Sequence, residues 1–207
     1  MKVRRNPKIK ELTSFDKAFG CPVIGTDEAG RGPIAGPVVA AAVFFPCFND
    51  EICETIKFID DSKKVNPKLR KELSEQIKKV AKYSICEASV EEIEKYNILK
   101  ASLLAMKRAC DALLPLVQEA LILVDGKFII PSYIKNQKAV KKGDSLSASI
   151  AAASILAKVH RDEFMETLSE KFPVYGWQKN KGYPTLFHRQ AVKKHGSCEW
   201  HRQSFLK

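Results

Sequence analysis

An α/β layer architecture is what this chain predicts, on three observations. Short apolar runs of strand length alternate with longer segments of helical periodicity. Acidic residues stand at the ends of several of those short runs. A length of 207 residues fits one ordinary domain with room for a proper core, and 45% hydrophobic against 29% charged residues places the chain among globular proteins rather than disordered or fibrous ones.

Taken in order, Met1 to Gly20 is a basic lead-in carrying Lys2, Arg4, Arg5, Lys8 and Lys10, polar enough to hold at most a short helix. Pro22 to Thr26 predicts a short strand, and Pro37 to Phe45 a second one that is apolar throughout and therefore buried. Glycines between the two mark a turn. Asn66 followed by Pro67 has the chemistry of a helix start, and Leu69, Leu73, Ile77 and Val80 then share one face. Tyr83 to Ala88 predicts a third strand. Ser89 and Glu92 have capping-box spacing, and a single long helix is expected behind them, through Ile93, Tyr96, Leu99, Leu103, Met106, Cys110 and Leu113. Leu121 to Val124, ending in Asp125-Gly126, predicts a central strand covered on both faces, and Gln137 to Lys141 a further strand. Ser145 to Leu168 predicts a helix whose alanines at 151 to 153 let it lie close to a sheet. From Phe172 onward Gly, Pro, aromatic and basic residues predict a helical appendage or a flap. Three regions follow: a lead-in over 1–20, a core over 21–170, and a C-terminal segment over 171–207 belonging to the same domain.

The 35 Lys and Arg against 24 Asp and Glu give a formal charge of +11, which favours phosphate-bearing partners by long-range attraction. Six cysteines without a Cys-x-x-Cys pair read as reduced core thiols rather than a disulfide framework. The basic first twenty residues lack the apolar core of a secretory signal, and no run is long enough to cross a bilayer, so a cytoplasmic protein without a membrane partner, working as a monomer, is expected.

Asp27, Glu28, Asp125 and Asp144 are the candidate catalytic residues and metal ligands. Each has an ordinary reading: Asp125-Gly126 as a turn, Asp144 as a helix cap, Asp27 and Glu28 as a solvated strand end. Their shared placement at strand ends outweighs those readings, because open α/β sheets put their ligand sites there. Four carboxylates in one cleft raise one another's pKa values unless cations neutralise them, and hard oxygen donors select Mg²⁺ or Mn²⁺. Two such ions serve phosphodiester hydrolysis without a protein nucleophile, in keeping with the missing Gly-x-Ser-x-Gly elbow and Cys–His pair.

Gly30-Arg31-Gly32 does not have dinucleotide-loop spacing, and Pro33 removes an amide donor. Glycines around an arginine do let backbone come close to a ligand such as a ribose 2′-hydroxyl. At this point the chain resembles the type 2 ribonucleases H, and within them the ribonuclease HII family. The resemblance rests on Gly25-Thr-Asp-Glu-Ala-Gly-Arg-Gly-Pro33, Asp61-Ser-Lys-Lys64, Asn97-Ile-Leu-Lys-Ala101, Val124-Asp-Gly126, Lys142-Gly-Asp-Ser145, Ser149 to Asp162, Gly182-Tyr-Pro-Thr185 with His188, and His201-Arg-x-Ser-Phe205. Several motifs in the family's order are far more specific than any one of them.

The resemblance implies a ribonuclease H-like fold, a five-stranded mixed sheet flanked by helices with a C-terminal helical portion. It implies an endonuclease that hydrolyses the RNA strand of RNA–DNA hybrids. It further implies cutting on the 5′ side of single ribonucleotides embedded in duplex DNA, leaving a 3′-hydroxyl and a 5′-phosphate, with two Mg²⁺ or Mn²⁺ ions. Asp27, Glu28, Asp125 and Asp144 match its metal-binding acids, Gly30, Arg31 and Gly32 its 2′-hydroxyl-sensing loop, and Tyr183 the tyrosine that stacks on the neighbouring deoxynucleotide sugar. Lys63 and Lys64 fall in a motif near substrate phosphates. His195, Cys198 and His201 lack a fourth ligand at zinc spacing. A non-catalytic nucleic-acid binding module and a metal-dependent phosphatase are the alternatives, and the Asp-x-Asp motif usual in the latter does not follow the first strand.

Overall fold

The computed structural model describes residues 7–59, 66–131 and 133–206. Strands β1 (Val23–Ala29), β2 (Val38–Phe44), β3 (Lys82–Ala88), β4 (Leu121–Asp125) and β5 (Gln137–Val140) form one sheet in the order β3-β2-β1-β4-β5. The β3, β2 and β1 strands pair antiparallel, whereas β1, β4 and β5 run parallel, so the sheet is mixed as expected. β2 is apolar at every position because both its faces are covered. Val39, Ala41 and Val43 pack with Ala148, Ala152 and Ile155 on one side, and Val38, Ala40 and Ala42 with Ala101, Ala105 and Met106 on the other.

The first of those covering layers is the 24-residue helix that the alanine-rich stretch foretold, Ala148–Lys171. It lies so near β1 that a Cβ on Gly25 would fall 2.3 Å from the backbone nitrogen of Ile150, which is why this strand position has no side chain. In chain order the helices are α1 (Pro7–Lys17), α2 (Asp50–Thr55), α3 (Pro67–Val80), α4 (Val90–Tyr96), α5 (Ile98–Leu113), α6 (Ala148–Lys171), α7 (Trp177–Asn180) and α8 (Leu186–His195). Asn66 caps α3 through its side-chain oxygen, which accepts from the Leu69 amide at 2.9 Å, as Asn-Pro predicted.

Several local expectations are corrected. The long helix behind Ser89 is two: the chain breaks at Asn97, whose φ is +69°, and the Asn97 side chain then caps α5 by accepting from the Lys100 amide at 3.1 Å. The apolar residues of α4 and α5 face the same core, so the periodicity runs through the break unaltered. Asp144 is not a helix cap. It sits in a 3₁₀ turn, Gly143–Ser145, and α6 is capped by Ser147, whose hydroxyl accepts from the Ile150 amide at 3.2 Å. The lead-in contributes to the core, because Ile9 and Leu12 of α1 are buried with α6 residues. Cys21 and Cys47 are exposed rather than core thiols.

The C-terminal segment is joined to the glycine loop by backbone. The Ile34 amide donates to Gly182 O at 2.9 Å, the Gly36 amide to Trp200 O at 2.8 Å, and the Arg202 amide to Ile34 O at 2.8 Å. Tyr175, Trp177 and Ala191 pack with Met165 and Leu168 of α6 and with Ala35 of the loop, so this region is built onto the core beside the loop. No helix among the described residues is long and apolar enough to cross a membrane.

Candidate active site

Asp27 and Glu28 stand near the end of β1, and Asp125 ends β4, the parallel neighbour of β1. Asp27 is 5% exposed, and burial followed by the Glu28 and Asp125 carboxylates pushes its carboxyl well above the ordinary range. The Ser154 hydroxyl on α6 and the Glu28 amide, which donates to Asp27 Oδ1 at 2.7 Å, pull the other way. Glu28 is also raised by burial, against the lowering effect of Arg31, with Asp125 adding to the rise. Three of the four expected acids therefore act on one another.

Asp144 is joined to this group through the turn that carries it. Asp125 Oδ1 accepts from the Gly143 amide at 2.7 Å, which fixes the 3₁₀ turn carrying half-buried Asp144 against the end of β4. Among the described residues no three His, Cys, Asp or Glu side chains close on one point as a ready metal cage. The donor set nevertheless fits a hard divalent cation: all oxygen, partly buried, and mutually repelling to the point of raised pKa values, which a cation between the carboxylates would reverse.

Next to the acids, Glu28, Gly30, Arg31, Gly32, Ser154 and Tyr183 line one cavity of about 360 Å³. Arg31 Nη1 donates to Glu28 Oε1 at 3.3 Å, tying the loop to the carboxylates. Tyr183 is 42% exposed, and a Cβ on Gly32 would lie 3.5 Å from its Cε1. The Lys158 ammonium sits 5.8 Å from the centre of the Tyr183 ring. Lys63 and Lys64 lie outside the described residues.

Two residues that sequence reasoning passed over hold the loop from beneath. The buried Arg202 guanidinium donates to the carbonyls of Gly30 (2.7 Å), Arg31 (3.3 Å), Pro33 (2.8 Å), Gly36 (2.8 and 2.9 Å) and Pro37 (3.1 Å). Arg161, equally buried, donates to Ala35 O, Pro37 O and Lys181 O, each at 3.0 Å. Burial lowers both pKa values, to about 9 for Arg202, with Arg161 also contributing, and to about 10 for Arg161. Both stay cationic at neutral pH. The signal for Arg161 was present in the sequence: it stands four residues from Ala157 and four from Met165, on the apolar stripe of its helix. Gly30 has φ +103° and a Cβ there would strike Arg161 Nε at 2.1 Å, so its glycine serves the arginine scaffold.

Tyr183 is positioned through its own backbone. His188 Nδ1 donates to Tyr183 O at 2.9 Å, so His188 Nε2 must accept, which it does from Trp177 Nε1 at 2.9 Å and from His201 Nε2 at 3.2 Å. His201 Nδ1 in turn accepts from the Cys198 amide at 3.0 Å. Both rings are held neutral: burial lowers the His188 pKa, and burial followed by His188 takes His201 down to about 4.

Compared with known families, residues 24–207 match the model of Ribonuclease HII. A Ribonuclease HII from Wolbachia pipientis subsp. Culex pipiens is 50% identical over 193 residues, 93% of this chain and 94% of that protein. This chain belongs to the ribonuclease HII family. It is accordingly a nuclease of the kind that hydrolyses RNA in RNA–DNA hybrids, and its family uses divalent metal ions. The crystal structure of the ribonuclease H2 from Pyrococcus horikoshii OT3 superposes with a TM-score of 0.73 at 25% identity, covering 88% of this chain and 93% of that one. A Bst-RNase HIII structure in complex with Mn²⁺ matches with a TM-score of 0.71 at 20% identity, over 98% of this chain and 71% of that one, and shows the ribonuclease H-like fold.

Proposed function

We propose that the chain nicks duplex DNA on the 5′ side of a single embedded ribonucleotide, as well as cutting longer hybrids, and leaves a 3′-hydroxyl and a 5′-phosphate. The observation that carries this reading is the shared cavity: Glu28, the Gly30-Arg31-Gly32 loop and Tyr183 line one space. A device for inspecting a sugar therefore adjoins the acids. Asp27, Glu28, Asp125 and Asp144 would hold two Mg²⁺ or Mn²⁺ ions, a choice in keeping with the Mn²⁺ of the Bst-RNase HIII structure. When bound, such ions supply an activated water and neutralise charge on the leaving oxygen.

The chain's own residues do the selecting. With Arg202 and Arg161 occupying its inner carbonyls, the loop keeps one backbone shape, and Gly32 presents no side chain toward Tyr183. A 2′-hydroxyl is both donor and acceptor, so a fixed backbone can bond it while a deoxyribose offers it nothing. The exposed ring of Tyr183 would stack on the following sugar and favour one without a 2′-hydroxyl, so that a junction with DNA is preferred over the interior of an RNA tract. Buried Asp27, held by Ser154 and the Glu28 amide, needs no rearrangement to act.

A labelled DNA duplex containing one ribonucleotide tests the proposal when incubated with Mg²⁺ or Mn²⁺ and, separately, with EDTA. Metal-dependent nicking 5′ of the ribose, with an all-DNA duplex left intact, is expected, and Asp125→Asn is expected to slow it about a hundredfold or more. Cleavage of long hybrids with no nick at a lone ribonucleotide would refute the single-ribonucleotide reading, and undiminished cleavage by Asp125→Asn would remove Asp125 from the site.

A further inference from the structure

On α5, Lys100, Leu103, Leu104 and Lys107 recur at helical spacing and so share one face of that helix. Together with Tyr96, Ile130 and Pro131 they line a cavity of about 300 Å³. Tyr96 is the last residue of α4, and the break at Asn97 delivers it to the head of this face. Ile130 and Pro131 come from the segment joining β4 to β5. That segment is fixed before anything binds: the Gln137 side chain accepts from the Ile130 amide at 2.8 Å and donates to the carbonyls of Ile130 at 3.0 Å and Tyr133 at 2.8 Å. Phe128 and Ile129, which lead into it, are exposed.

The charges around this apolar space are of one sign. No Asp or Glu lines the cavity. Lys100 is exposed and forms no ion pair among the described residues. The Lys95 ammonium stands 5.1 Å from the centre of the Tyr96 ring. Lys107 is already engaged, 2.6 Å from Asp111 and 5.2 Å from the centre of the Tyr133 ring.

We propose that this groove is a docking site for a short acidic peptide of a partner protein, which places an aliphatic or aromatic side chain in the cavity and flanking carboxylates against Lys95 and Lys100. A nucleic-acid duplex keeps its bases stacked inside and offers a phosphate backbone, which has nothing to set against leucine, isoleucine and proline. A side chain fills such a space, and the cations then select its acidic neighbours. α5 covers the face of the sheet opposite α6, whose Ser154 and Lys158 line the cavity beside the catalytic acids. A peptide held on α5 therefore tethers the nuclease to its partner and leaves that cavity open.

The test is fluorescence anisotropy of a labelled peptide, Asp-Glu-Asp-Leu-Phe-Glu-Asp, titrated with the full chain at about 150 mM salt, where general attraction is screened. A control peptide of equal charge carries Ser-Ser in place of Leu-Phe. Saturable one-to-one binding with a Kd on the order of 10 to 100 µM is expected, with the control about tenfold weaker or more. Lys100→Glu and, separately, Leu104→Ser should each weaken binding about fivefold or more, whereas Lys193→Glu on α8, the same change of charge elsewhere, should leave it within about twofold. Lys100 is exposed, so its variant carries the test should Leu104→Ser fail to fold. Saturating peptide should leave the rate of hybrid cleavage unchanged. No binding, equal affinity for the control peptide, or equal losses for Lys100→Glu and Lys193→Glu would overturn the proposal. Inhibition of cleavage would put the peptide in the path of the nucleic acid, and a dimer of the chain alone that Leu104→Ser disperses would give the groove to a second copy; either result would overturn it as well.

Discussion

Gly30 and Gly32 are two residues apart and are glycine for different reasons. At Gly30 the backbone is left-handed and Arg161 occupies the space a Cβ needs, so Gly30→Ala should destabilise the fold by about 2 kcal/mol or more. At Gly32 a Cβ meets only Tyr183, at ordinary contact distance. Gly32→Ala should therefore leave the melting temperature within a degree or two while, on the proposed function, lowering cleavage at a lone ribonucleotide by about tenfold or more, since the methyl group would stand where the sugar approaches. Parallel unfolding curves and single-ribonucleotide cleavage rates for both variants check this, and an unfolded Gly32→Ala would show that the fold itself requires the glycine. Candidate residues for the site could be named from the sequence because carboxylates at strand ends and an Arg between glycines are unusual combinations. Their support was not, because a sequence does not say that Arg202 is buried or that its partners are five backbone carbonyl groups rather than a carboxylate.

At the level of elements, the loop between β1 and β2 owes its shape to groups that arrive from α6 and from the C-terminal segment. Arg202 supplies a planar fork that a lysine cannot reproduce, so Arg202→Lys should leave several buried carbonyls unpaired, cost about 3 kcal/mol or more, and depress cleavage together with stability. Chemical denaturation read beside activity measures both. The histidine pair under Tyr183 gives a second prediction. The folded-state pKa of His201, about 4, lies below the unfolded value near 6.5, so the unfolded chain takes up the proton first. The contribution of this pair is complete above about pH 6.5 and is lost as pH falls toward 4, at up to about 1.4 kcal/mol per pH unit for one histidine. Ring nitrogen shifts should show a neutral His201 at pH 5; an imidazolium there would contradict the tautomer chain. Sequence patterning located every strand and most helices, yet it merged α4 with α5, because an Asn with positive φ turns the backbone without interrupting the apolar face.

For the whole molecule, the relation of charge to site is the dominant physical fact. The chain carries +11 overall, while the acids of β1 and β4 are few, close together and partly buried. The basic surface should supply affinity without sequence preference, so binding to a duplex in EDTA is expected to weaken with salt at a log–log slope on the order of −4 or steeper, equally for hybrid and all-DNA duplexes. A salt-independent affinity would place recognition elsewhere. On the proposed function, discrimination for the ribose would belong to the cavity lined by Glu28, Gly32 and Tyr183, and cleavage to the carboxylates. Topology was readable from the sequence as an α/β layer structure, its five-stranded mixed sheet only through the family resemblance, and its strand order not at all, since the pairing of β1 with both β2 and β4 depends on contacts that no local pattern encodes.

The most direct measurement is anomalous diffraction from crystals of the chain grown with a ribonucleotide-containing duplex and supplied with Mn²⁺. Manganese peaks bounded by Asp27, Glu28, Asp125 and Asp144, beside the phosphate 5′ of the ribose, are the expected result. Manganese bound elsewhere, or ligated at that phosphate without Asp125 and Asp144, would contradict the account.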